Sequence, residues 1–312
     1  MCEDNHTTVT YVLLLGFQNL QSFKIPLFLI LLLVYIIIVV GNLLVILTVL
    51  IAKNLKHPMY IFLQNLAFCD FLFSSAVVPQ LLYITWWETG QLVIVGCIFQ
   101  FYMSSFLGIV QTFLLTVMAY DRYLAICDPL RYSSLLSIKH CHRLIYLSWS
   151  LAFVLDSVEV IFIFHLKFCD TNIIDHFFCD LSPILELASS DTLIIIWQDL
   201  FLSVIVILLP FLFVLISYIC IMFTILNIPS ITGRKKAFST CSTHLLLVGM
   251  YFGALIALYL APSGDNSHNE NKFKSLINTV LTPFSNPLLY SVRNKELVRG
   301  FKTFVHRQIW KK

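Results

Sequence analysis

Charged side chains are scarce in this chain. Asp, Glu, Lys and Arg make up 12% of its 312 residues, whereas hydrophobic residues make up 59%. An average soluble domain carries about 25% charged residues, so this composition excludes a fully wetted surface and indicates lipid as the solvent. Residues 1–24 contain no apolar stretch long enough for a cleavable signal peptide, so we expect the first membrane span to direct insertion.

Five stretches contain no charged residue at all, and each exceeds the roughly 20 helical residues that cross a bilayer or comes close to it. Two further stretches are interrupted only by acids: Asp70 in one, Asp156 and Glu159 in the other. The predicted spans cover residues 25–51, 59–84, 92–120, 144–164, 200–226, 237–262 and 275–292. Helices satisfy their own backbone in lipid, and these runs are too long for barrel strands. We therefore expect an all-α membrane protein, a seven-transmembrane helix bundle.

Basic residues set the expected orientation. With the N-terminus outside, 16 of the 20 Lys and Arg residues fall in the inner connections and the tail. The positive-inside rule then predicts a single bundle with its N-terminus outside and its C-terminus in the cytoplasm. Its parts are an extracellular N-terminus (1–24), a helix bundle (25–292) and a cytoplasmic tail (293–312).

Two short features lie outside the predicted bundle. Leu297, Val298 and Phe301 are spaced as on one helix face, with basic residues between them. This pattern predicts a short amphipathic helix on the anionic inner leaflet after the seventh span. Asn5-His6-Thr7 is a glycosylation acceptor sequence on the expected outer side, which makes Asn5 a candidate site.

Polar residues inside the predicted membrane are candidates for function. Asp70 lies in the second span, Asn42 in the first, and Asn286 precedes Pro287 in the seventh. A carboxylate in the membrane is costly and usually functional, and a proline frees a carbonyl and permits a kink. We interpret Asn42, Asp70 and Asn286 as one polar network that water or sodium occupies.

Five sequence strings carry a family resemblance. They are KHPMY (56–60), MAYDRYLAICDPLRY (118–132), SY (217–218), KAFSTCSTH (236–244) and PFSNPLLYSVRN (283–294). In this order and at these depths they resemble rhodopsin-like (class A) G-protein-coupled receptors, and among them the vertebrate olfactory (odorant) receptors. The resemblance spans essentially the whole chain.

The resemblance implies an odorant receptor rather than an enzyme. Such a receptor binds small, mostly apolar organic molecules in the outer half of the bundle. It activates the stimulatory, olfactory-type heterotrimeric G protein and so raises cyclic AMP. Besides the odorant, the G protein and membrane lipid, we expect no nucleic acid, cofactor or metal. Arg122 is implied to release Asp121 and meet the G protein while Tyr218 and Tyr290 swing inward. The complete implied switch set is Asp121, Arg122, Tyr123, Tyr218, Asn286, Pro287 and Tyr290.

Counting along the helices from Arg122 and Pro210 with the family's geometry gives an expected ligand site. Its lining is apolar with scattered hydroxyl groups, which suits a volatile molecule held by burial and dispersion. The expected residues are Ser104, Ser105, Gly108, Ile109, Leu202, Ser203, Val206, Phe252, Ile256, Tyr259 and Thr279. The family commonly has Phe-Tyr-Gly in the sixth span, whereas this chain has Tyr251-Phe252-Gly253, which leaves the role of that hydroxyl open.

Cysteines on the expected outer side follow the family pattern only in part. The resemblance implies a disulfide between Cys97 and Cys179, which suits the oxidising compartment. A second family bridge would join Cys169 to a position that aligns with Ser189, and serine cannot form it. Cys169 is then unpaired, or bonds to Cys2, or the alignment shifts.

Several alternatives stay open at this point. Asp156, Glu159 and Asp199 lie near the outer ends of two spans, where they receive a cationic amine or pair with His165 and Lys167. A rhodopsin-like receptor for amines or peptides is therefore the main alternative function. A transporter or channel is disfavoured because the sequence shows no inverted repeat, no paired broken helices and no ring of like charges.

Overall fold

A computed structural model describes residues 9–18, 23–52, 55–169, 171–260 and 267–293. Within these ranges, the side chains of residues 259–260, 267–269 and 290–293 are not described. The predictions for Asn5, Cys2 and the amphipathic helix of the tail lie outside the described residues, as do the side chains of Tyr259 and Tyr290.

Long helices form the body of the molecule. The elements in chain order are β1 (Tyr11–Leu15), α1 (Lys24–Ile51), α2 (Pro58–Trp87), β2 (Thr89–Val93), α3 (Ile94–Cys127), α4 (Tyr132–Leu135), α5 (Ile138–Phe164), β3 (Ile173–Ile174), α6 (Leu181–Leu187), α7 (Leu193–Ser203), a π-helical turn (Val204–Leu208), α8 (Leu209–Asn227), α9 (Ile231–Leu260) and α10 (Ser267–Arg293). Helices α7 and α8 join through the π-helical turn into one continuous fifth span, Leu193–Asn227.

Seven helical spans make the bundle. Six of them, α1, α2, α3, α5, the fifth span and α9, are long and apolar enough to cross a membrane. The seventh, α10, is more polar because its first turns carry Glu270, Lys272 and Lys274, and it packs against α1, α2 and α9. The protein is therefore a multi-pass membrane protein with a seven-helix bundle.

The observed helices extend beyond several predicted spans. The fifth begins at Leu193 rather than at residue 200, because Asp199 interrupts the uncharged run without interrupting the helix. The fourth and sixth begin six residues earlier than predicted, at Ile138 and Ile231, where each helix starts in a basic segment. A search for uncharged stretches locates the apolar core of a span but misses its wetted ends.

Proline and a widened turn shape the middle of the fifth span. Pro210 has no N–H and cannot continue the α-helical hydrogen-bond ladder to the preceding turn. Just before it, the Leu209 N–H bonds to the Val204 carbonyl, five residues back, which makes the turn π-helical. Such turns redirect side chains and often occur at functional sites.

Three short strands form a sheet at one end of the bundle, which we call the sheet end. Strand β1 pairs antiparallel with β2 and parallel with β3, in the order β2-β1-β3. The all-α class holds for the bundle, but the sequence analysis did not predict these strands. Their length of two to five residues gives too weak an alternation for a strand to be predicted.

Residues 166–192 connect the fourth and fifth spans and cover the sheet end; we call this connection the lid. Its Phe177, Phe178 and Cys179 are buried. Phe177 packs with Leu31 of α1 and with Val77 and Leu81 of α2 in one apolar cluster. The lid is therefore part of the core rather than a loose loop.

Candidate functional site

A cavity of about 750 Å³ lies beneath the lid, between α3, the fifth span, α9 and α10. This size falls within the range of small-molecule sites, roughly 300–1,000 Å³. Apolar residues and hydroxyl groups alternate in its lining. A second cavity, beside Lys24 and Glu88, holds only about 20 Å³.

Most residues of the expected ligand site line this cavity. They are Ser104, Ser105, Gly108 and Ile109 from α3, Leu202, Ser203 and Val206 from the fifth span, and Thr279 from α10. The π-helical turn contains Val206 and so contributes directly to the wall. The residues counted from Arg122 and Pro210 on α3 and the fifth span therefore face this cavity, and their contact with a ligand stays a prediction.

The prediction for α9 needs a correction. Phe252 is buried but lies outside the lining, where its ring packs against Phe211 at a centroid distance of 5.3 Å. Ile256 is 43% exposed on the outer surface of the bundle. The lining residues of α9 are instead Tyr251, Leu255 and Leu258. An offset of one residue rotates a helix by about 100°, which is sufficient to exchange the two faces.

Tyr251 closes the floor of the cavity. Its Oη donates to the Gly108 carbonyl oxygen at 2.9 Å and lies 2.6 Å from Thr112 Oγ1. The ring is buried and packs edge-on against Phe252. The exchanged order Tyr251-Phe252 thus gives the hydroxyl group a definite position, where it ties α9 to α3.

The upper wall of the cavity is acidic. Glu159 of α5, Asp199 of the fifth span and Asp180 of the lid all line it. Glu159 is only 4% exposed, and its Oε1 has no hydrogen-bond partner among the described residues. Asp180 caps α6 by accepting from the Leu181 N–H at 2.9 Å, and its burial raises the pKa of its carboxyl.

Two covalent or ionic contacts hold the lid over the cavity. Cys97 at the start of α3 and Cys179 in the lid form the disulfide that the resemblance implied. Lys272 of α10, which is 2% exposed, donates to Asp175 Oδ1 at 2.5 Å and to the Gly16 carbonyl at 3.2 Å. The lid is thereby fixed to α3, to α10 and to the segment after β1.

Lid residues beside the disulfide are also ordered by polar contacts. The Cys179 N–H donates to Gln100 Oε1 at 3.1 Å, and Gln100 Nε2 donates to the Ala76 carbonyl of α2 at 3.0 Å. The ring of His176 stacks on Phe177. Burial lowers the pKa of His176 to about 4, so this imidazole is neutral at physiological pH.

Cys169 has a different partner from the one in the family pattern. Its N–H donates to Ser189 Oγ at 3.1 Å, so Ser189 does lie where the family's second cysteine is expected. Cys169 is nevertheless disulfide-bonded, which rules out the unpaired alternative. Cys2 lies outside the described residues.

The opposite end of the bundle contains the predicted switch pair, and we call it the Arg122 end. Arg122 Nη2 lies 2.9 Å from Asp121 Oδ2, and both residues are buried. Tyr132 of the short helix α4 donates to Asp121 Oδ1 at 2.7 Å. Burial, followed by the Asp121 charge, raises the pKa of Tyr132 well above its ordinary value, so its hydroxyl stays protonated and can donate.

Three other predicted switch residues, Tyr218, Tyr123 and Pro287, each make separate contacts. Tyr218 Oη of α8 lies 2.6 Å from His244 Nδ1 of α9, so this contact links the fifth and sixth spans. Tyr123 is half-buried against the core. Pro287 packs so closely on α1 that a Cβ added to Gly41 would lie 2.8 Å from its ring.

Asp70 is the centre of the predicted intramembrane network. Asn286 Nδ2 donates to Asp70 Oδ2 at 2.5 Å, and Gln111 Nε2 donates to Asp70 Oδ1 at 2.9 Å. Gln111 was missed from the sequence because an amide in an uncharged span carries no distinguishing signal. Asn42 donates to the Ile38 and Pro283 carbonyls, and so joins α1 to α10.

Metal binding has no support in the described ranges, which contain no group of three His, Cys, Asp or Glu residues placed to hold an ion.

Comparison with known proteins gives one consistent result. Residues 31–308 match the family model described as "Olfactory receptor". The chain is 40% identical to rat (Rattus norvegicus) "Olfactory receptor 1500" over 96% of both chains. It is 39% identical to mouse (Mus musculus) "Olfactory receptor 1E16" over 99% of both, and 39% identical to human (Homo sapiens) "Olfactory receptor 6B1" over 98% of this chain and 97% of that one.

Proposed function

Since the chain belongs to the olfactory receptor family, we propose that the cavity beneath the lid is its odorant site and that Asp121 and Arg122 form its switch. The protein is an odorant receptor and not an enzyme, and its family implies coupling to a G protein. A transporter or channel is set aside, because the family match covers the whole bundle.

The sheet end is proposed to face the outside of the cell. The Cys97–Cys179 disulfide at this end suits an oxidising compartment. Most of the Lys and Arg residues that the structure describes lie toward the Arg122 end, as the positive-inside rule requires of a cytoplasmic side. This orientation places the N-terminus outside, the tail in the cytoplasm and the receptor in the plasma membrane.

The lining favours a small organic molecule with a substantial apolar part. Ile109, Leu202, Val206 and Leu255 supply apolar contact, and Ser104, Ser105, Ser203 and Thr279 supply hydroxyl groups. Binding then depends mainly on burial of apolar surface and on dispersion, with the hydroxyl groups fixing orientation.

The Tyr251 contact is the observation that carries the proposed mechanism. Tyr251 lines the cavity and is bonded to Gly108 and Thr112 of α3. Thr112 precedes Asp121 by nine residues, about 14 Å along the same helix. An odorant that displaces Tyr251 therefore changes how α9 rests on the helix that carries the switch pair.

In the proposed activation step, Arg122 and Tyr218 exchange the side-chain partners that they have in the inactive state. A ligand shifts a two-state equilibrium only through different contacts in the two states. In the state seen here, Asp121 holds Arg122, and Tyr218 is bound to His244. In the active state Arg122 leaves Asp121 and faces the G protein, and Tyr218 turns from His244 toward the centre of the bundle.

Cyclic AMP is the measurement that tests this function. Cells that express the receptor with the olfactory stimulatory G protein are exposed to a panel of volatile organic molecules, with surface labelling as the control for folding. The expected result is a response that Arg122→Ala abolishes and Arg143→Ala, at an exposed residue of α5, leaves intact.

Two results would contradict the proposal. A full response from a surface-expressed Arg122→Ala variant would overturn the switch assignment. A response that survives filling of the cavity at Gly108 would overturn the ligand site.

A further inference from the structure

We propose that this receptor recognises odorants that carry a protonated amine, and that Glu159 is the residue that receives the ammonium group, assisted by Asp199. The inference rests on the proposed function, because it assigns a ligand class to the same cavity.

Glu159 is a buried acid with an unused acceptor. Its side chain lines the cavity, the residue is 4% exposed, and Oε1 has no hydrogen-bond partner in the described part of the chain. Transfer of an ionised carboxylate from water into such a site is costly unless a cation or several donors compensate for it. Nothing in the described protein does so at Oε1, which leaves that position for a ligand.

The acids around Glu159 strengthen its preference for a cation. The negative charges of Asp199, Asp156 and Asp180 all act on Glu159. Asp156 is fully buried, and Ser105 is the side chain that interacts with its carboxyl group. Like charges disfavour one another in a poorly solvated site, so the ionised cluster is stabilised by a cation bound beside it.

Acidic residues outnumber basic ones in the lining of the cavity. Glu159, Asp175, Asp180, Glu186 and Asp199 line the cavity, and no Lys or Arg does so among the described residues.

Three of these five acids already have partners. Asp175 is paired with Lys272, Asp180 caps α6, and Glu186 accepts from Ser182 at 3.4 Å. His176 is neutral and offers no compensating charge. Glu159 and Asp199 remain as the acids available to a ligand.

The position of the acids defines the shape of the ligand. Glu159 and Asp199 lie toward the sheet end, whereas Tyr251 forms the floor, with apolar residues such as Val206 and Leu255 between them. An amine with a hydrocarbon body matches this polarity, because its ammonium group reaches the acids while its body is buried above Tyr251. An uncharged odorant of the same shape leaves Glu159 unpaired.

The test compares matched ligands on matched variants. Alkylamines and the alcohols of the same carbon skeleton are applied to cells that express the receptor and the stimulatory G protein, and cyclic AMP is measured with surface labelling. The expected result is a response to amines that Glu159→Gln weakens by about thirty-fold or more in half-maximal concentration, as for loss of one partner of a buried charge pair. Glu88→Gln, which alters an exposed acid that pairs with Lys24 and does not line this cavity, is the matched control and leaves the amine response within about threefold.

A second variant keeps the test valid if Glu159→Gln does not fold. Asp199 is only half-buried, so Asp199→Lys is expected to reach the cell surface. It places a positive charge beside the ammonium position and abolishes the amine response while any response to alcohols persists.

The inference is overturned if surface-expressed receptor does not respond to amines, or if the amine response is unchanged in both Glu159→Gln and Asp199→Lys. Failure of the amine inference is distinguishable from failure of the proposed function. Responses to uncharged volatiles that Gly108→Leu abolishes would remove the amine specificity and leave the odorant site in place.

Discussion

Tyr251 donates a hydrogen bond to the backbone carbonyl of Gly108, across the floor of the cavity beneath the lid, at 2.9 Å. One residue belongs to the sixth span and the other to the third, and both also line the cavity. Because this contact lines the cavity and also joins α9 to α3, a molecule bound in the cavity is expected to change the packing of α9 on the helix that carries Asp121 and Arg122. The first two predictions follow from it.

Tyr251→Phe is expected to raise ligand-independent cyclic AMP. The change keeps the buried ring but removes the hydroxyl contacts to Gly108 and Thr112, which hold α9 against α3 in the state described here. Loss of about 1 kcal/mol from one state changes the ratio of the two states about fivefold. Tyr120→Phe is the control, because that ring is half-buried against Phe213 and neither residue lines the cavity. Unchanged basal activity in Tyr251→Phe would contradict the role given to this hydroxyl.

Gly108→Leu is expected to abolish odorant responses without loss of surface expression. A Cβ added at Gly108 meets no atom within 4 Å, so the new side chain enters the open cavity and occupies ligand volume. Gly249→Leu is the matched control, since Gly249 also has free space around its Cβ but lies on the exposed face of α9. The measurement is the cyclic AMP dose–response curve of each variant. Equal odorant responses from Gly108→Leu and Gly249→Leu would refute the assignment of this cavity as the ligand site.

Substitution of Asp175 and substitution of Lys272, the two partners of the lid ion pair, are expected to lower thermal stability by different amounts. Asp175→Asn leaves the Lys272 ammonium, which is 2% exposed, with only the Gly16 carbonyl as a described partner. Lys272→Met removes the buried charge and leaves Asp175, whose side chain is 42% exposed, to water. Because an unpaired buried charge costs more than an unpaired exposed one, Asp175→Asn lowers thermal stability more than Lys272→Met. Thermal unfolding of purified receptor measures the order, and the reverse order would show that lid packing rather than charge controls stability.

Cys169 is predicted to bond to Cys2. Of the nine cysteines, two form the Cys97–Cys179 bridge and five are free thiols, at Cys69, Cys127, Cys141, Cys220 and Cys241. Cys2 is therefore the one that remains to pair with Cys169. The position of Val9 favours the bond, because its N–H donates to the carbonyl of Phe168, the neighbour of Cys169.

Peptide mapping without reduction tests that bridge by mass. Cys2→Ser is expected to free the Cys169 thiol, and adding Ser189→Cys is expected to restore a bridge within the lid, since Ser189 already contacts Cys169. Cys169 recovered in a peptide linked to any other cysteine would disprove the prediction.

The sequence was sufficient for the bundle and for much of the cavity, for identifiable reasons. Uncharged runs mark spans because lipid tolerates little else, and Arg122 and Pro210 fix the rotation of α3 and the fifth span. In α9 the nearest motif lies several turns from the cavity and the Tyr-Phe order is exchanged, so Phe252 and Ile256 were assigned to the wrong face. The strands depend on segments that only the folded bundle brings together, which local patterns do not encode.

Polar contacts inside the bundle were predictable in kind but not in detail. A carboxylate in a span requires donors, and Asn286 was correctly named as a neighbour of Asp70. That Gln111 supplies the second donor, and that Asn42 bonds to the Pro283 carbonyl instead, depends on side-chain reach across helices. Spacing along one helix does not determine that reach.

The β2-β1-β3 sheet also sets the order in which the receptor can mature. Strand β1 leaves the ribosome first, but its antiparallel partner β2 follows only after the second span, and Ile173 and Ile174 follow only after the fourth. Until then the backbone of β1 has an open edge, a state that invites wrong pairing and chaperone binding. The sheet beside the lid is therefore completed late in biosynthesis, after the fourth span has been made.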